Sequence, residues 1–190
     1  MKLVFATHNQ HKFEEIKNLL PPHIELLSLT EIGCEEDIAE TAETIEGNAQ
    51  LKADYVFEQY GYGCFADDTG LEVAALDGAP GVYSARYAGP QKNSEDNMQK
   101  LLKELEEKPD RSAHFKTVIA FRTEKEQKQF TGICEGRIVK DRKGLQGFGY
   151  DPIFRPDGKD QTFAEMTLDE KSEISHRARA FRQLAEYLQK

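Results

Sequence analysis

The sequence has no long hydrophobic run. No apolar stretch approaches the roughly 20 residues that a membrane-spanning helix needs. Residues 1–6 also lack the extended apolar core of a signal peptide, and we interpret them as the start of a first strand. With 38% hydrophobic and 31% charged residues over 190 positions, the composition is typical of a charged globular protein. We therefore expect no membrane partner and one domain spanning residues 1–190.

Cysteine and positive charge are both scarce. Cys34, Cys64 and Cys134 are far apart and form no Cys-x-x-Cys pair or Cys/His ligand pattern, which disfavours a disulfide framework and a zinc site. This cysteine usage favours a reducing cytoplasm. A net charge of −9 disfavours binding of a nucleic-acid polymer, since phosphate backbones require clustered lysine and arginine. A small anionic substrate is not excluded, because a few local cations and a metal ion suffice to bind it.

Hydrophobic periodicity alternates between helix and strand. Strands are predicted at residues 3–6, 24–29, 63–66, 71–74, 113–121 and 129–139, the last two as a hairpin. Helices are predicted at residues 12–20 and 48–60, after a cap at Ser94, after a capping box at Thr167 and Glu170, and over the last residues. Helices that alternate with strands before a long hairpin indicate an α/β fold with a mixed sheet.

The residues after the first strand could bind phosphate. They lead directly into a helix and are Thr7, His8, Asn9, Gln10, His11 and Lys12. Backbone N–H groups at a helix start attract phosphate, and Thr7, Asn9 and Lys12 would add donors and one positive charge. The Gly-x-x-x-x-Gly-Lys pattern of a Walker A loop is absent. The alternative is that Thr7 and Asn9 cap the helix while Lys12 extends into solvent, and capping is the commoner use of such residues.

Asp67 and Asp68 follow an apolar strand end. Adjacent carboxylates repel each other unless a positive group stands nearby, and Mg²⁺ takes one or two carboxylates together with substrate phosphates. An acidic β-turn is the alternative. Glu40, in an acidic stretch, could supply a further carboxylate. Lys52 lies four residues after Asn48 on a predicted helix and is either a surface lysine or, directed into an acidic site, a group that steadies a phosphate or an attacking water.

An aromatic segment at residues 148–154 indicates a pocket for a flat ligand. It crowds three rings, a glycine, a proline and one carboxylate into seven residues. A ring supplies a stacking face, Gly149 allows close approach of the backbone, and Asp151 accepts hydrogen bonds from ring N–H groups. A buried β-bulge with a capped turn is the alternative. Downstream, Lys171, His176 and Arg177 add cationic groups near a helix start, which suit a carbonyl oxygen or a phosphate.

Taken together and in order, these segments resemble the inosine triphosphate pyrophosphatase family, enzymes that hydrolyse dITP, ITP and XTP to the monophosphate and pyrophosphate. The matching segments are spread over nearly the whole chain, in family order, and are residues 7–12, 48–53, 67–70, 78–87, 147–154 and 175–177. Each segment is weak alone, and the ordered set is specific. Two positions depart from the family pattern: Thr69 replaces the usual Ser and keeps the hydroxyl, and Gly47 stands where many members carry Glu.

The resemblance implies an elongated mixed β-sheet flanked by helices, two lobes with an active-site cleft between them, and a homodimer. It implies Mg²⁺ as the cofactor, Asp68 as metal ligand and proton acceptor for water, Glu40 as a second metal group, and Lys52 as the group that orients phosphate or water. It also implies that residues 7–12 hold the triphosphate and that Thr69 touches the substrate. The base would be bound by Phe148, Gly149, Tyr150, Asp151, Lys171, His176 and Arg177.

Hydrogen-bond chemistry explains the expected choice of base. Hypoxanthine and xanthine present an O6 acceptor and an N1–H donor, whereas adenine presents an amino donor and a bare N1 acceptor. Donors from His176 and Arg177 that face O6 would oppose the amino group of adenine, and each buried unpaired group costs about 1–3 kcal/mol. The rejection of guanine, which shares O6 and N1–H, does not follow from these residues.

Two other functions fit parts of the pattern. Maf-like nucleotide pyrophosphatases share the broad fold and prefer modified pyrimidines, but they lack the Phe-Gly-Tyr-Asp-Pro and Ser-His-Arg segments present here. A nucleotide sensor without catalysis would keep the pocket and lose the reactive groups. The presence of Asp68, Lys12 and Lys52 favours an enzyme.

Overall fold

A computed structural model describes residues 1–17 and 20–189 of the chain, without the side chains of His11 and Glu15. Leu19, a predicted apolar position of the first helix, lies outside the described residues. The strands in the described ranges are β1 Lys2–Phe5, β2 Glu25–Leu27, β3 Cys64–Val73, β4 Pro80–Gly81, β5 Ser112–Arg122, β6 Gln127–Ile138 and β7 Phe154–Pro156. The helices there are α1 Gln10–Lys17, α2 Ile45–Tyr60, α3 Ser94–Glu104, α4 Leu168–Ile174 and α5 His176–Leu188.

The strands form one mixed sheet. Its order is β2-β1-β3-β5-β6-β7, and β4 pairs with β3 beside this path. Strand β1 is parallel to β2 and to β3, whereas β4 is antiparallel to β3 and β7 is antiparallel to β6. The predicted α/β fold with a mixed sheet is therefore confirmed. No helix in the described part of the chain is long and apolar enough to cross a membrane.

The chain divides into two compact units. Unit 1 comprises Met1–Asp68, Thr117–Thr131 and Arg179–Lys190, and unit 2 comprises Thr69–Lys116 and Gly132–Ala178. Each unit has its own buried hydrophobic cluster.

The core of unit 1 is aromatic. The rings of Phe5 and Phe65 stack with centroids 4.7 Å apart, and Phe181 of α5 meets both rings edge-on at 5.8 and 5.7 Å. Phe13 and Ile16 of α1 belong to the same buried cluster. Helix α1 is thereby held against β1 and β3, and the predicted phosphate segment lies at its start.

The core of unit 2 contains two of the three rings of the predicted aromatic segment. The ring of Phe154 packs against Phe115 and Phe163 at centroid distances of 4.6 and 5.1 Å. Tyr150 is 5% exposed, and its hydroxyl donates to the backbone carbonyl of Ser84 at 2.7 Å. Burial of these two rings leaves Phe148, which is 45% exposed, as the ring of the segment that a ligand can reach.

Two of the predicted helix-end signals are confirmed, and the predicted cap of α3 is not. The capping box at Thr167 and Glu170 is confirmed at the start of α4, where each side chain accepts from the other residue's backbone N–H. Gly61 closes α2 with a φ of 71°, as glycine at a helix end allows. The prediction that Ser94 caps α3 is wrong, because Asn93 Oδ1 accepts from the N–H of Asp96 at 3.0 Å.

Residues 67–70 lie inside β3. The acidic β-turn interpretation of this segment is wrong, because β3 is unbroken from Cys64 to Val73. Its first residues pair with β1 and its later residues pair with β4, so both ends are held in the sheet. Side chains therefore alternate between the two faces of β3 through the two aspartates.

Replacement of Gly136 by alanine should destabilise the protein. A Cβ at this position of β6 would lie 2.4 Å from the backbone oxygen of Arg155 and 2.7 Å from the ring of Phe154. Because these neighbours are backbone and core, we expect Gly136→Ala to lower the unfolding free energy by about 1–3 kcal/mol in denaturant titrations. Gly63→Ala is the matched control, since its nearest new contact is an ordinary 3.5 Å. Equal stability of the two variants would contradict this packing.

Candidate active site

The segment before α1 is held by its own side chains. Thr7 Oγ1 accepts from the N–H of Asn9 at 3.1 Å, and Asn9 Oδ1 accepts from the N–H of Lys12 at 3.2 Å. A ring nitrogen of His8 lies 3.0 Å from the backbone oxygen of Glu36. These contacts match the capping interpretation for Thr7 and Asn9. The predicted role of the His11 side chain concerns a group outside the described residues.

Lys12 does not extend into solvent. Its Nζ donates to both carboxylate oxygens of Asp67, at 3.1 and 2.9 Å. The side chain of Lys12 is 17% exposed and that of Asp67 only 1% exposed. Gln10, by contrast, is exposed and donates to Glu14 at 2.8 Å. A largely buried ion pair thus joins the first turn of α1 to β3.

Lys52 is the centre of a second charged group in unit 1. Its Nζ donates to Glu40 Oε1 at 2.8 Å and to the backbone oxygen of Asp67 at 2.7 Å. The carboxylate of Asp68 lies 3.9 Å from the same nitrogen. Lys52 is 8% exposed, so the surface-lysine alternative is wrong. Helix α2 places it there beside Asn48, whose Oδ1 accepts from the N–H of Ala42 in the acidic stretch at 2.9 Å.

Burial and charge shift the titration of this group. Burial raises the pKa of Asp68 to about 6, against the attraction of Lys52. Burial also opposes the charged form of Lys52, but the carboxylates of Asp67, Asp68 and Glu40 raise the pKa of Lys52 above its usual value. The site therefore holds a carboxylate whose basicity is increased next to a lysine that stays protonated.

The oxygen donors of Glu40 and Asp68 fit a hard divalent cation. Both carboxylates lie around Lys52 Nζ, at 2.8 and 3.9 Å. Mg²⁺ is commonly bound by one or two carboxylates that share it with substrate phosphates, and it needs no larger protein cage. Among the described residues no group of three or more His, Cys, Asp or Glu side chains is arranged to hold a metal ion by itself. The donor set matches an ion that is completed by the substrate and by water.

Unit 2 contains a cluster around the ring of Phe148. Lys171 Nζ lies 5.1 Å and Arg177 Cζ lies 5.5 Å from the centre of this ring. Lys171 Nζ also donates to Asp151 Oδ2 at 2.5 Å, and the N–H of Phe148 donates to the same oxygen at 3.0 Å. Asp151 therefore both caps the turn before it and anchors a lysine beneath the exposed ring.

The remaining predicted residues of unit 2 differ in exposure. His176 is 4% exposed and its ring stacks on Phe115 at 4.6 Å. Gly149 has a φ of 61°, which suits glycine in the tight turn beside Phe148. Thr69 is half-buried in β3. The structure thus brings Phe148, Asp151, Lys171 and Arg177 together, and it places Tyr150 in the core described above.

A cavity of about 540 Å³ in unit 2 contains none of the predicted site residues. It is lined by Leu102, Lys103, Glu106, Arg111 and Lys140. The guanidinium of Arg111 donates to the backbone carbonyls of Leu105, Ile138 and Val139 at 2.7–3.0 Å. This arginine therefore joins the end of α3 to β6, and the cavity borders a structural contact.

The sequence did not predict how helix α2 binds the acidic stretch that contains Glu36 and Glu40. Glu36 Oε1 accepts hydrogen bonds from the hydroxyls of Tyr55 at 2.5 Å and Tyr60 at 2.9 Å, both on α2. These bonds lower the pKa of Glu36 to about 2, with the Tyr55 bond as the largest cause. Two tyrosines near the end of one helix were the only local sign of these hydrogen bonds. The sequence does not indicate Glu36 as their partner, because it lies 19 and 24 residues away.

The fold and the two clusters define a class of protein. They describe an α/β protein with a carboxylate–lysine group suited to an anionic substrate and an aromatic–cationic group suited to a flat polar ring. Comparison with known families agrees: residues 3–187 match the Ham1 family, and the chain belongs to it.

Similar proteins cover the whole chain. A protein of Christiangramia forsetii named dITP/XTP pyrophosphatase is 64% identical over 190 residues, with 100% of both chains covered. One of the same name in Porphyromonas gingivalis is 53% identical, covering 98% of this chain and 97% of the relative. The solved structure of the Staphylococcus aureus Ham1 protein has a TM-score of 0.94 and 39% identity, covering 100% of this chain and 98% of that one. The family resemblance seen in the sequence is thereby confirmed.

Removal of the Lys171 ammonium should destabilise the protein. Lys171→Met leaves the 5%-exposed carboxylate of Asp151 without its cation, and breaking one side of a buried ion pair typically costs about 3–5 kcal/mol. Denaturant unfolding of Lys171→Met should show a loss of this order. Lys143→Met, which changes an exposed lysine, is the control and should unfold like the parent. A Lys171→Met protein as stable as this control would disprove the buried pair.

Proposed function

We propose that this chain hydrolyses the deaminated purine nucleotides dITP, ITP and XTP to the monophosphate and pyrophosphate, and so removes them from the nucleotide pool. Membership of the Ham1 family supports the proposal, as does the name dITP/XTP pyrophosphatase of relatives up to 64% identical over the full chain. The observation in the chain that carries it is the convergence of Glu40 and Asp68 on Lys52. That arrangement would supply a base, a cation and metal-binding oxygens at one point.

Asp68 is proposed as the proton acceptor. Hydrolysis of the anhydride between the α- and β-phosphates adds water to phosphorus and expels pyrophosphate, so a base must take a proton from the water. Burial raises the pKa of the Asp68 carboxyl above that of an ordinary aspartate, which favours its action as a base. Lys52, held by Glu40 and by a backbone carbonyl, would orient the water or a phosphate oxygen.

Mg²⁺ is the proposed cofactor, bound by Asp68 and Glu40. When bound it would neutralise negative charge on the phosphates. The triphosphate is proposed to contact the first turn of α1 and Thr69. The side chains proposed for it are Thr7, His8, Asn9, Gln10, His11, Lys12 and Thr69. The start of α1 offers backbone N–H groups and the positive end of the helix dipole.

The cluster around Phe148 is proposed to bind the base. The exposed ring offers a stacking face, and Lys171 and Arg177 lie within 5.5 Å of its centre. Cationic donors favour the O6 carbonyl of hypoxanthine or xanthine and oppose the amino group of adenine. Asp151 already accepts from Lys171, so its first role is to hold that donor in place. The proposed set is Phe148, Gly149, Tyr150, Asp151, Lys171, His176 and Arg177.

We further propose that residues 1–190 act as one pyrophosphatase domain, that the protein is a homodimer, and that it works in the cytoplasm. The cytoplasmic setting is supported by the cysteines, since Cys34, Cys64 and Cys134 are buried and far apart in the sequence.

Pyrophosphate release from single nucleotides tests the proposed function. The purified protein with Mg²⁺ should release pyrophosphate from dITP, ITP and XTP much faster than from dATP or dGTP. Exhaustive chelation should abolish turnover, and Mg²⁺ or Mn²⁺ should restore it, since the proposed ligands are oxygens. Tight binding of dITP without turnover would indicate a nucleotide sensor and overturn the assignment as an enzyme.

Substitution of Asp68 should nearly abolish turnover. Asp68→Asn keeps the size of the side chain but removes its basicity and the negative charge that would bind the metal ion. Loss of a general base costs about 10²–10⁴-fold in rate. The measurement is kcat for dITP in protein whose circular dichroism matches the parent. Asp37→Asn, an exposed carboxylate in the same acidic stretch as Glu40, should be indistinguishable from the parent. Parent-like turnover of Asp68→Asn would refute the role.

The phosphate and base clusters should separate kinetically. Lys12→Ala should lower kcat/KM for dITP and dATP by the same factor, because the triphosphate is common to both. His176→Ala should instead reduce the preference for dITP over dATP by about tenfold or more, from the cost of one unpaired buried group. An equal loss on both substrates in His176→Ala, or a changed preference in Lys12→Ala, would contradict this division of roles.

A further inference from the structure

Asp67 and Asp68 point to opposite faces of β3. Both lie within the unbroken strand, in which successive side chains alternate between faces. Phe65, two residues before Asp67, belongs to the buried cluster that includes Phe13 and Ile16 of α1. Four residues before Asp68, Cys64 Sγ donates to a backbone carbonyl of α2 at 3.1 Å. The Asp67 side chain therefore faces α1, and the Asp68 side chain faces α2.

Asp67 contacts both lysines of the site by different atoms. Its carboxylate accepts from Lys12 with both oxygens, at 3.1 and 2.9 Å, on the α1 side. Its backbone oxygen accepts from Lys52 at 2.7 Å. With a side chain that is 1% exposed, Asp67 forms an ion pair in a poorly hydrated place, where charge-assisted hydrogen bonds are strong.

We propose that Asp67 is a positioning residue that holds Lys12 and Lys52, and that it is not a ligand of the divalent cation. Both oxygens of the Asp67 carboxylate accept from the ammonium of Lys12, so a divalent cation could bind there only by displacing that ammonium. The Asp68 carboxylate points the opposite way and lies 3.9 Å from Lys52, beyond hydrogen-bond distance, so of the two adjacent aspartates it is the one available to the cation. This inference rests on the proposed function, since it assigns roles within the same site.

Metal binding by the free protein gives the first test. The probe is Mn²⁺ without nucleotide, followed by electron paramagnetic resonance. Asp68→Asn should weaken Mn²⁺ binding about tenfold or more, because it removes a charged oxygen ligand, whereas Asp67→Asn, whose carboxylate does not touch the ion, should bind within about twofold of the parent. Equal weakening in the two variants would make Asp67 a ligand and overturn the proposal.

A double-mutant cycle gives the second test. If Asp67 acts through Lys12, then Asp67→Asn should lower kcat/KM for dITP on the order of 100-fold by misplacing that lysine. The Asp67→Asn/Lys12→Ala protein should then lose no more than the worse single variant. Asp67→Asn combined with His176→Ala is the control pair, and its losses should multiply. Multiplied losses in the Asp67–Lys12 pair would refute a role through Lys12.

Labelling of the parent protein tests the proposal without any substitution. Amine acylation followed by mass spectrometry should modify Lys12 at least tenfold more slowly than Lys17, an exposed lysine of the same helix, because an ion-paired ammonium is a poor nucleophile. Saturating Mn²⁺ should leave this ratio unchanged. A rise of Lys12 labelling to the Lys17 rate on adding Mn²⁺ would show that metal takes the Asp67 carboxylate, and the proposal would fail.

These tests distinguish failure of the inference from failure of the proposed function. Mn²⁺ binding and labelling need no turnover, so they decide the role of Asp67 even if the protein hydrolyses none of the nucleotides. Inactivity of the parent toward all of them would overturn the proposed function alone.

Discussion

The two-residue alternation of a β-strand is the constraint on which the charged site depends. Because Asp67 and Asp68 are consecutive in β3, one carboxylate meets α1 and the other meets α2. The repulsion between these adjacent carboxylates is thus relieved because they point apart and because each has its own lysine nearby, Lys12 for Asp67 and Lys52 for Asp68. The parallel pairing of β3 with β1, and the aromatic cluster beneath it, keep α1 close enough for Lys12 to reach this strand.

In both clusters the largely buried lysines are ion-paired with carboxylates. Lys12 meets Asp67, Lys52 meets Glu40, and in unit 2 Lys171 meets Asp151. Such pairs contribute little net stability but are costly to break from one side. Their value lies in geometry, since each pair fixes the direction of a cation before a substrate arrives. Phe148 is the contrasting element, an apolar ring left exposed beside paired charges.

Much of the fold and of the site composition could be predicted from the sequence. Hydrophobic period and capping signals gave the order of helices and strands, and the ordered motifs gave the family. The prediction that residues 67–70 lie between two short strands was wrong, because Asp and Gly favour turns locally while the pairing partners that make β3 continuous are distant in sequence. The Lys12–Asp67 contact spans 55 residues, and no local pattern specifies it. The same holds for burial of Tyr150, whose partner Ser84 is 66 residues away.

The two lysines of unit 1 differ in how their anchors can be lost to mutation. The anchor of Lys12 is a side chain, so a single nucleotide change at codon 67 can remove it. The backbone part of the Lys52 anchor is a peptide carbonyl, which every amino acid carries. A substitution at position 67 would therefore remove the side-chain partner of Lys12, whereas the hydrogen bond from Lys52 to the backbone oxygen would remain as long as the strand persists. Evolution can retune the proposed phosphate-binding end of this site through position 67, while the geometry around the proposed catalytic carboxylate of Asp68 is inherited with the sheet.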